Sequence, residues 1–328
     1  MRRVMRSSGD LIADRRYQYG LDLAREGDMA AACDLFEQAL ERAPQWADAW
    51  FSLGRARRDR FEPASAAAAF REALRLDPSD VLGASLELSR LDASVDIDAA
   101  PLAYVKGLFN SYAEEFDRAL VERLGYATPQ HLAKMVRDLN RGEARRFARV
   151  VDLGCGTGLS GDAFAASASW LEGVDLADAM LTEARNKGVY DALTYSDILS
   201  FLGGEGPQYD LMVAADVLIY FGDLTRLFAF AANRIAPGGL FVFSVERAEG
   251  GEIVLRDSLR FAHSADYVRR ALNGAGLEVA TIETAVLRKD RGADIEGLLF
   301  VARKSAQAPE HQAQDAQNAQ AEVTSKLN

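Results

Sequence analysis

VVDLGCGTGLSG, residues 150–161, places a short apolar run and an acid, Asp152, directly before glycines at 154, 156 and 158. The run reads as a buried strand, and the glycines as the turn at its carboxyl end. Glycine lets the backbone bend tightly and come close to a ligand. Backbone N–H groups exposed in such a turn can meet a carboxylate or a phosphate. The spacing is Gly-x-Gly-x-Gly. Leu159 stands where a dinucleotide-binding Gly-x-Gly-x-x-Gly would need its last glycine.

Outward from this stretch, apolar runs alternate with helical patterns. Strands are predicted at 149–153, 170–174, 192–195, 209–214 and 240–246, with helices near 159–168, 177–186, 197–202 and 224–235. That alternation predicts a parallel sheet covered by helices. A helix over 264–275, capped by Ser264, leads to two last strands, 277–287 and 295–302. The polar turn RKDRGAD joins them as an antiparallel hairpin. Asp175 closes the second strand and Asp197 follows the third. An acid at the first position accepts from ribose hydroxyls, which identifies a nucleoside rather than a reaction.

Taken with YDLMVAADVLIYF (209–221) and the Pro-Gly-Gly turn of IAPGGLFVFSVE (235–246), this order resembles the class I S-adenosylmethionine-dependent methyltransferases over residues 101–304. The resemblance implies an α/β, Rossmann-like seven-stranded sheet with its last strand antiparallel, and S-adenosylmethionine as cofactor. It assigns the methionine end of the cofactor to Asp152, Gly154, Cys155, Gly156, Thr157 and Gly158. Asp175 holds the ribose, Met180 and Ile198 flank the adenine, Asp197 marks its amino edge, and Leu176 belongs to the same cofactor-binding set. Ala214 and Asp216, at the end of the fourth strand, complete the set; Asp216 and Tyr220 also border the acceptor side. Tyr112, in a segment rich in helically spaced apolar residues (Leu108, Phe116, Leu120), closes the pocket as part of a lid. His263, just before the Ser264-capped helix, is the candidate catalytic base. Cys155 reads as a small residue in a tight loop.

The amino-terminal part repeats itself at a shift of 34: Gly20 meets Gly54, Ala32 Ala66, Phe36 Phe70, Ala39 Ala73, Leu40 Leu74 and Pro44 Pro78. Small residues at fixed helical positions let antiparallel helices approach, and the prolines stop the second helix of each pair. The pattern resembles the tetratricopeptide repeat, so an all-α repeat domain is expected before the sheet. The expected organisation is an extension (1–12), two repeats with a capping helix at 80–91 (13–92), a linker (93–101), the catalytic domain (102–304) and a disordered polar tail (305–328). Such repeats imply a protein partner, or a docking unit with no ligand.

Composition narrows the partners. The chain of 328 residues carries a net charge of −11, which disfavours a nucleic-acid backbone or an anionic membrane. Two distant cysteines and no long apolar run predict no metal site, no membrane span and a reducing, cytoplasmic setting. The reading is a methyltransferase acting on oxygen or nitrogen of a small-molecule or acyl-carrier-bound acceptor. Two alternatives stay open at this level: a cofactor-binding interaction protein without turnover, and a nicotinamide-dependent oxidoreductase, which Leu159 and the closing hairpin disfavour.

Overall fold

The computed structural model describes residues 6–306 apart from 93, 96, 112–125, 140–144 and 291. The expectations for Tyr112, for Phe116 and Leu120, and for the tail beyond 306 lie outside the described residues.

Five helices come first: α1 (Leu11–Glu26), α2 (Met29–Arg42), α3 (Ala47–Asp59), α4 (Pro63–Leu76) and α5 (Ala84–Leu91). The 34-residue period has a direct packing cause. The Phe36 ring lies where a Cβ on Gly20 would stand 2.7 Å from it, and Phe70 repeats that approach at Gly54. α2 and α4 end just before Pro44 and Pro78, because the residue preceding a proline is pushed out of the helical region. The capping helix starts four residues later than expected. Asp80 sits at φ +54°, and its carboxylate accepts from Ala84 N (2.6 Å) and Ser85 N (3.0 Å), so it caps α5 from outside.

α5 packs on the rest of the molecule through Leu86, which shares an apolar cluster with Ala100, Tyr104, Ile219, Tyr220 and Phe261. Backbone pairing reinforces the seam: Ala99 bridges Phe221, and Ala100 N donates to Tyr220 O at 2.8 Å. Next come α6 (Leu102–Asn110) and α7 (Thr128–Leu139).

The sheet then begins with β1 (Val150–Leu153), followed by α8 (Leu159–Phe164), β2 (Leu171–Asp175), α9 (Asp178–Lys187) and β3 (Ala192–Tyr195). α10 (Ile198–Gly203), β4 (Tyr209–Ala214), α11 (Thr225–Arg234) and β5 (Ile235–Arg247) complete the parallel part. After β6 (Ile253–Leu255), β7 (Phe261–His263) and α12 (Ala265–Gly274) come β8 (Leu277–Asp290) and β9 (Ala293–Lys304). β3, β2, β1, β4 and β5 lie side by side in parallel; β9 joins β5 antiparallel, and β8 pairs with β9. This is the expected seven-stranded order with a reversed strand.

Two strands were not expected. β6 and β7 form a short hairpin whose second strand pairs with Glu246 and Arg247 at the end of β5. Three-residue strands carry no periodicity that a sequence reading can detect. Every residue of β1 is buried, as a central parallel strand requires. Phe228, Phe241, Phe243 and Phe300 fill one face of the sheet, with Phe243 stacked on Phe300 at 5.1 Å.

Candidate active site

At the carboxyl end of β1 the chain turns sharply. Gly154, Gly156 and Gly158 have φ of +70°, +53° and +96°, values that a side chain disfavours. Gly154 has no room either: a Cβ there would stand 2.5 Å from Val217 Cγ2. Gly154 N and Cys155 N both donate to Val174 O, which pins the turn to β2. Gly156 N donates to Asp175 Oδ2 at 2.9 Å, and Ala177 N to Oδ1 at 2.8 Å. The acid that closes β2 is thus fixed by the turn that follows β1. Burial raises the Asp175 pKa, and these backbone donors oppose that.

Beneath the turn lies Asp152, 1% exposed. Tyr190 Oη donates to its Oδ2 at 2.6 Å and accepts from Gly161 N at 3.1 Å. Oδ1 is buried and has no hydrogen-bond partner among the described residues. Desolvation pushes the Asp152 pKa up to about 7; the Tyr190 hydrogen bond lowers it and the charge of Asp175 raises it. Tyr190 carries no local sequence signal, being one tyrosine in a connection between α9 and β3. Its ring excludes a Cβ at Gly161 and stands 3.0 Å from where one would lie at Gly173.

A cavity of about 310 Å³ opens over this turn. Of the expected cofactor residues, Gly154, Cys155, Gly156, Thr157, Asp175 and Leu176 line it. So do Asp197, Ile198 and Asp216. Asp197 also caps α10, its Oδ1 accepting from Ser200 N at 2.9 Å. Four others do not reach the cavity. Asp152 lies below the turn, Gly158 caps α8, Ala214 is buried within β4, and Met180 packs with Ala177 behind Phe109.

His263 is not brought to the site. It lies in β7, held between β5 and β6, with 0% exposure. Its Nε2 is 2.9 Å from Gly222 O, and its ring stacks on Tyr267 at 5.7 Å. Desolvation pushes its pKa down to about 4. Fully buried in the sheet and absent from the cavity lining, this imidazole is not within reach of an acceptor in the cavity. The unexpected β6–β7 hairpin is the reason, because it covers the segment that otherwise reads as an open helix start.

The roof is α6, whose Leu102, Val105 and Phe109 face the cavity. Lys106 ties it down, with Nζ 2.6 Å from Tyr195 Oη and 3.0 Å from Asp178 Oδ2. Asn110 Oδ1 accepts from Ala179 N at 3.2 Å. The described part of the expected lid therefore covers the cavity through Phe109 and its neighbours. At the β4 end, Asp216 sits at φ +54°. Its Oδ1 accepts from Ser244 Oγ at 3.0 Å and its Oδ2 from Arg288 at 3.2 Å. Arg288 also pairs with buried Glu246. Arg288, Arg260 and Tyr126 line this end, and sequence reasoning missed all three. An arginine inside a strand, and another in a loop, look like ordinary surface charges.

The family described as a methyltransferase domain matches residues 112–282, and the tetratricopeptide repeat matches residues 47–80. The ubiquinone biosynthesis O-methyltransferase of Chelativorans sp. (strain BNC1) is 24% identical over 212 residues, 57% of this chain and 83% of that protein. That of Bordetella avium (strain 197N) is 27% identical over 157 residues, 43% of this chain and 64% of its own length. Among solved structures, magnesium protoporphyrin IX methyltransferase from Synechocystis PCC 6803 with bound SAH aligns with a TM-score of 0.49 at 19% identity. That alignment covers 62% of this chain and 99% of the other. No helix among the described residues is long and apolar enough to cross a membrane.

Proposed function

This chain belongs to the methyltransferase domain family, and from that membership we propose that it transfers a methyl group from S-adenosylmethionine to an oxygen or nitrogen of a small-molecule or carrier-bound acceptor. One observation carries the reading: the three-glycine turn and the carboxylate of Asp175 are locked together at the floor of a cavity within the matched residues. The relatives named as O-methyltransferases favour oxygen as the acceptor atom.

The residues fit that cofactor. Asp152 does not line the cavity, but its carboxylate beneath the turn, with one buried oxygen unpartnered among the described residues, places a negative charge that suits a ligand bearing an ammonium group. Asp175 suits ribose hydroxyls, and the apolar Leu176, Ile198 and Leu199 suit a purine. When bound, S-adenosylmethionine supplies a methyl group already activated by its sulfonium. The chain's part is then alignment, worth about 7–11 kcal/mol in favourable cases. Leu102, Val105 and Phe109 exclude water from above. Asp216, held by Ser244 and Arg288, orients the acceptor's hydroxyl or amine. The repeat supports recruitment of a protein partner.

Calorimetry of the full chain with S-adenosylhomocysteine tests the reading. Binding is expected in the wild type, and Asp175→Ala is expected to weaken it by about tenfold or more, the loss of charge-assisted hydrogen bonds. A wild-type chain that ignores this nucleoside, or prefers a nicotinamide dinucleotide, refutes the proposal.

A further inference from the structure

Charge changes sign along the cavity. At the β2–β3 end stand Asp175 and Asp197. At the other end, across β4, stand Arg288 on β8 and Arg260 in the turn between β6 and β7. The pairing at the second end is uneven. Arg288, with its side chain 5% exposed, is shared between Asp216 and Glu246. Arg256 Nε lies 3.4 Å from the remaining Glu246 oxygen. Among the described residues three guanidinium groups meet three carboxylates, Asp216, Glu246 and Asp290, and Arg260 is the most loosely held, its ion pair with Asp290 standing at 3.9 Å, the outer edge of contact.

Arg260 is also partly withdrawn from water, its side chain 27% exposed. The wall of the same cavity includes Ile219 and Phe221, whose side chains offer no acceptor. A partly desolvated cation against an apolar wall is costly unless a counter-charge arrives. The planar fork of a guanidinium pairs with two oxygens of one anionic group. The whole chain has a net charge of −11, so a cavity end lined by two arginines runs against its general field.

From this geometry we infer that the methyl acceptor is an apolar molecule carrying an anionic oxygen group, and that Arg260 is the specificity-determining residue that receives that group. The inference rests on the methyltransferase reading, because it treats the Asp175 end as taken by the cofactor. A carboxylate and a phosphate monoester share the required chemistry. Arg288 serves as a positioning residue, its charge spent on Glu246 and Asp216.

The test uses the full chain saturated with S-adenosylhomocysteine. Benzoate, 4-hydroxycinnamate and decanoate are titrated by calorimetry, each against its own methyl ester, with phenyl phosphate as a further arm. At least one acid is expected to bind about tenfold more tightly than its ester, the worth of one charge-assisted pair. Phenyl phosphate outdoing every acid assigns the anion to a phosphate. In Arg260→Gln the preference for the anion is expected to vanish; in Arg260→Lys it is expected to survive in part. S-adenosylhomocysteine affinity is expected to stay within twofold in both, which separates a specificity role from a general loss of structure. Equal affinity for anion and ester in every wild-type pair, including no measurable binding of either, overturns the inference. So does an Arg260→Gln chain that keeps the preference. Failure to bind S-adenosylhomocysteine at all refutes the reading beneath it instead.

Discussion

Replacing Asp152 by Asn isolates the energetic cost of keeping an acid under the glycine turn. In the native state burial lifts this carboxyl from its ordinary 3.8 to about 7. Between those two values the native chain keeps a proton that the unfolded chain has released. Stability is therefore full below about pH 4 and is lost as pH rises through 7. At about 1.4 kcal/mol per pH unit, the loss by pH 8 is about 4 kcal/mol. An Asn side chain ionises at neither end of that range. It still offers an oxygen to Tyr190, whose hydroxyl donates to Oδ2 at 2.6 Å. Urea unfolding of Asp152→Asn and wild type is compared at about pH 5 and pH 8. The variant is expected to gain on the wild type by about 3 kcal/mol between the two, the part of the loss that falls above about pH 5. His263, whose burial acts with the opposite sign between 6.5 and about 4, cancels in this difference. The gain should carry a functional cost, since the variant removes the negative charge beneath the turn: S-adenosylhomocysteine, which bears an ammonium group, should bind more weakly to it. Parallel stability curves, with no relative gain at pH 8, refute the assignment of a buried, proton-holding acid.

Two further outcomes follow from packing and burial. Gly54→Ala adds a methyl 2.7 Å from the fully buried ring of Phe70, so overpacking of about 1–3 kcal/mol outweighs the gain of about 1 kcal/mol in helix propensity. A lowered denaturation midpoint is expected, and an unchanged or raised one contradicts the account of the repeat. His263→Gln is expected to lower stability by about 1–3 kcal/mol through its buried hydrogen bond to Gly222. The pH profile of methyl transfer between about 5.5 and 8 should stay unaltered, as burial lowers the native imidazole to about 4; an acidic limb in this window that the variant loses restores it as the base.

How much of this was legible beforehand depended on the range of the signal. The β1 turn, Asp175 and the closing hairpin announce themselves locally, through positive-φ glycines and a chain that runs apolar and then stops. The 34-residue period was visible because Gly20 and Gly54 each answer a phenylalanine sixteen residues on, and both pairs pack alike. Tyr190, Arg260 and Arg288 were invisible because each matters only through a partner far along the chain. His263 was misplaced for the same reason: what buries it is pairing with the ends of β5 and β6, not its own neighbours in sequence.

The α6 helix has two neighbours to satisfy. On one side Gly83 comes so near Tyr104 that a Cβ would fall 2.8 Å from the ring; on the other Phe109 roofs the cavity. A single nine-residue rod thus serves as a party wall between the helical array and the reaction chamber. Exchanging the array for a different one would reshape the chamber's ceiling as well, so a change in the helices would be felt by whatever enters beneath them.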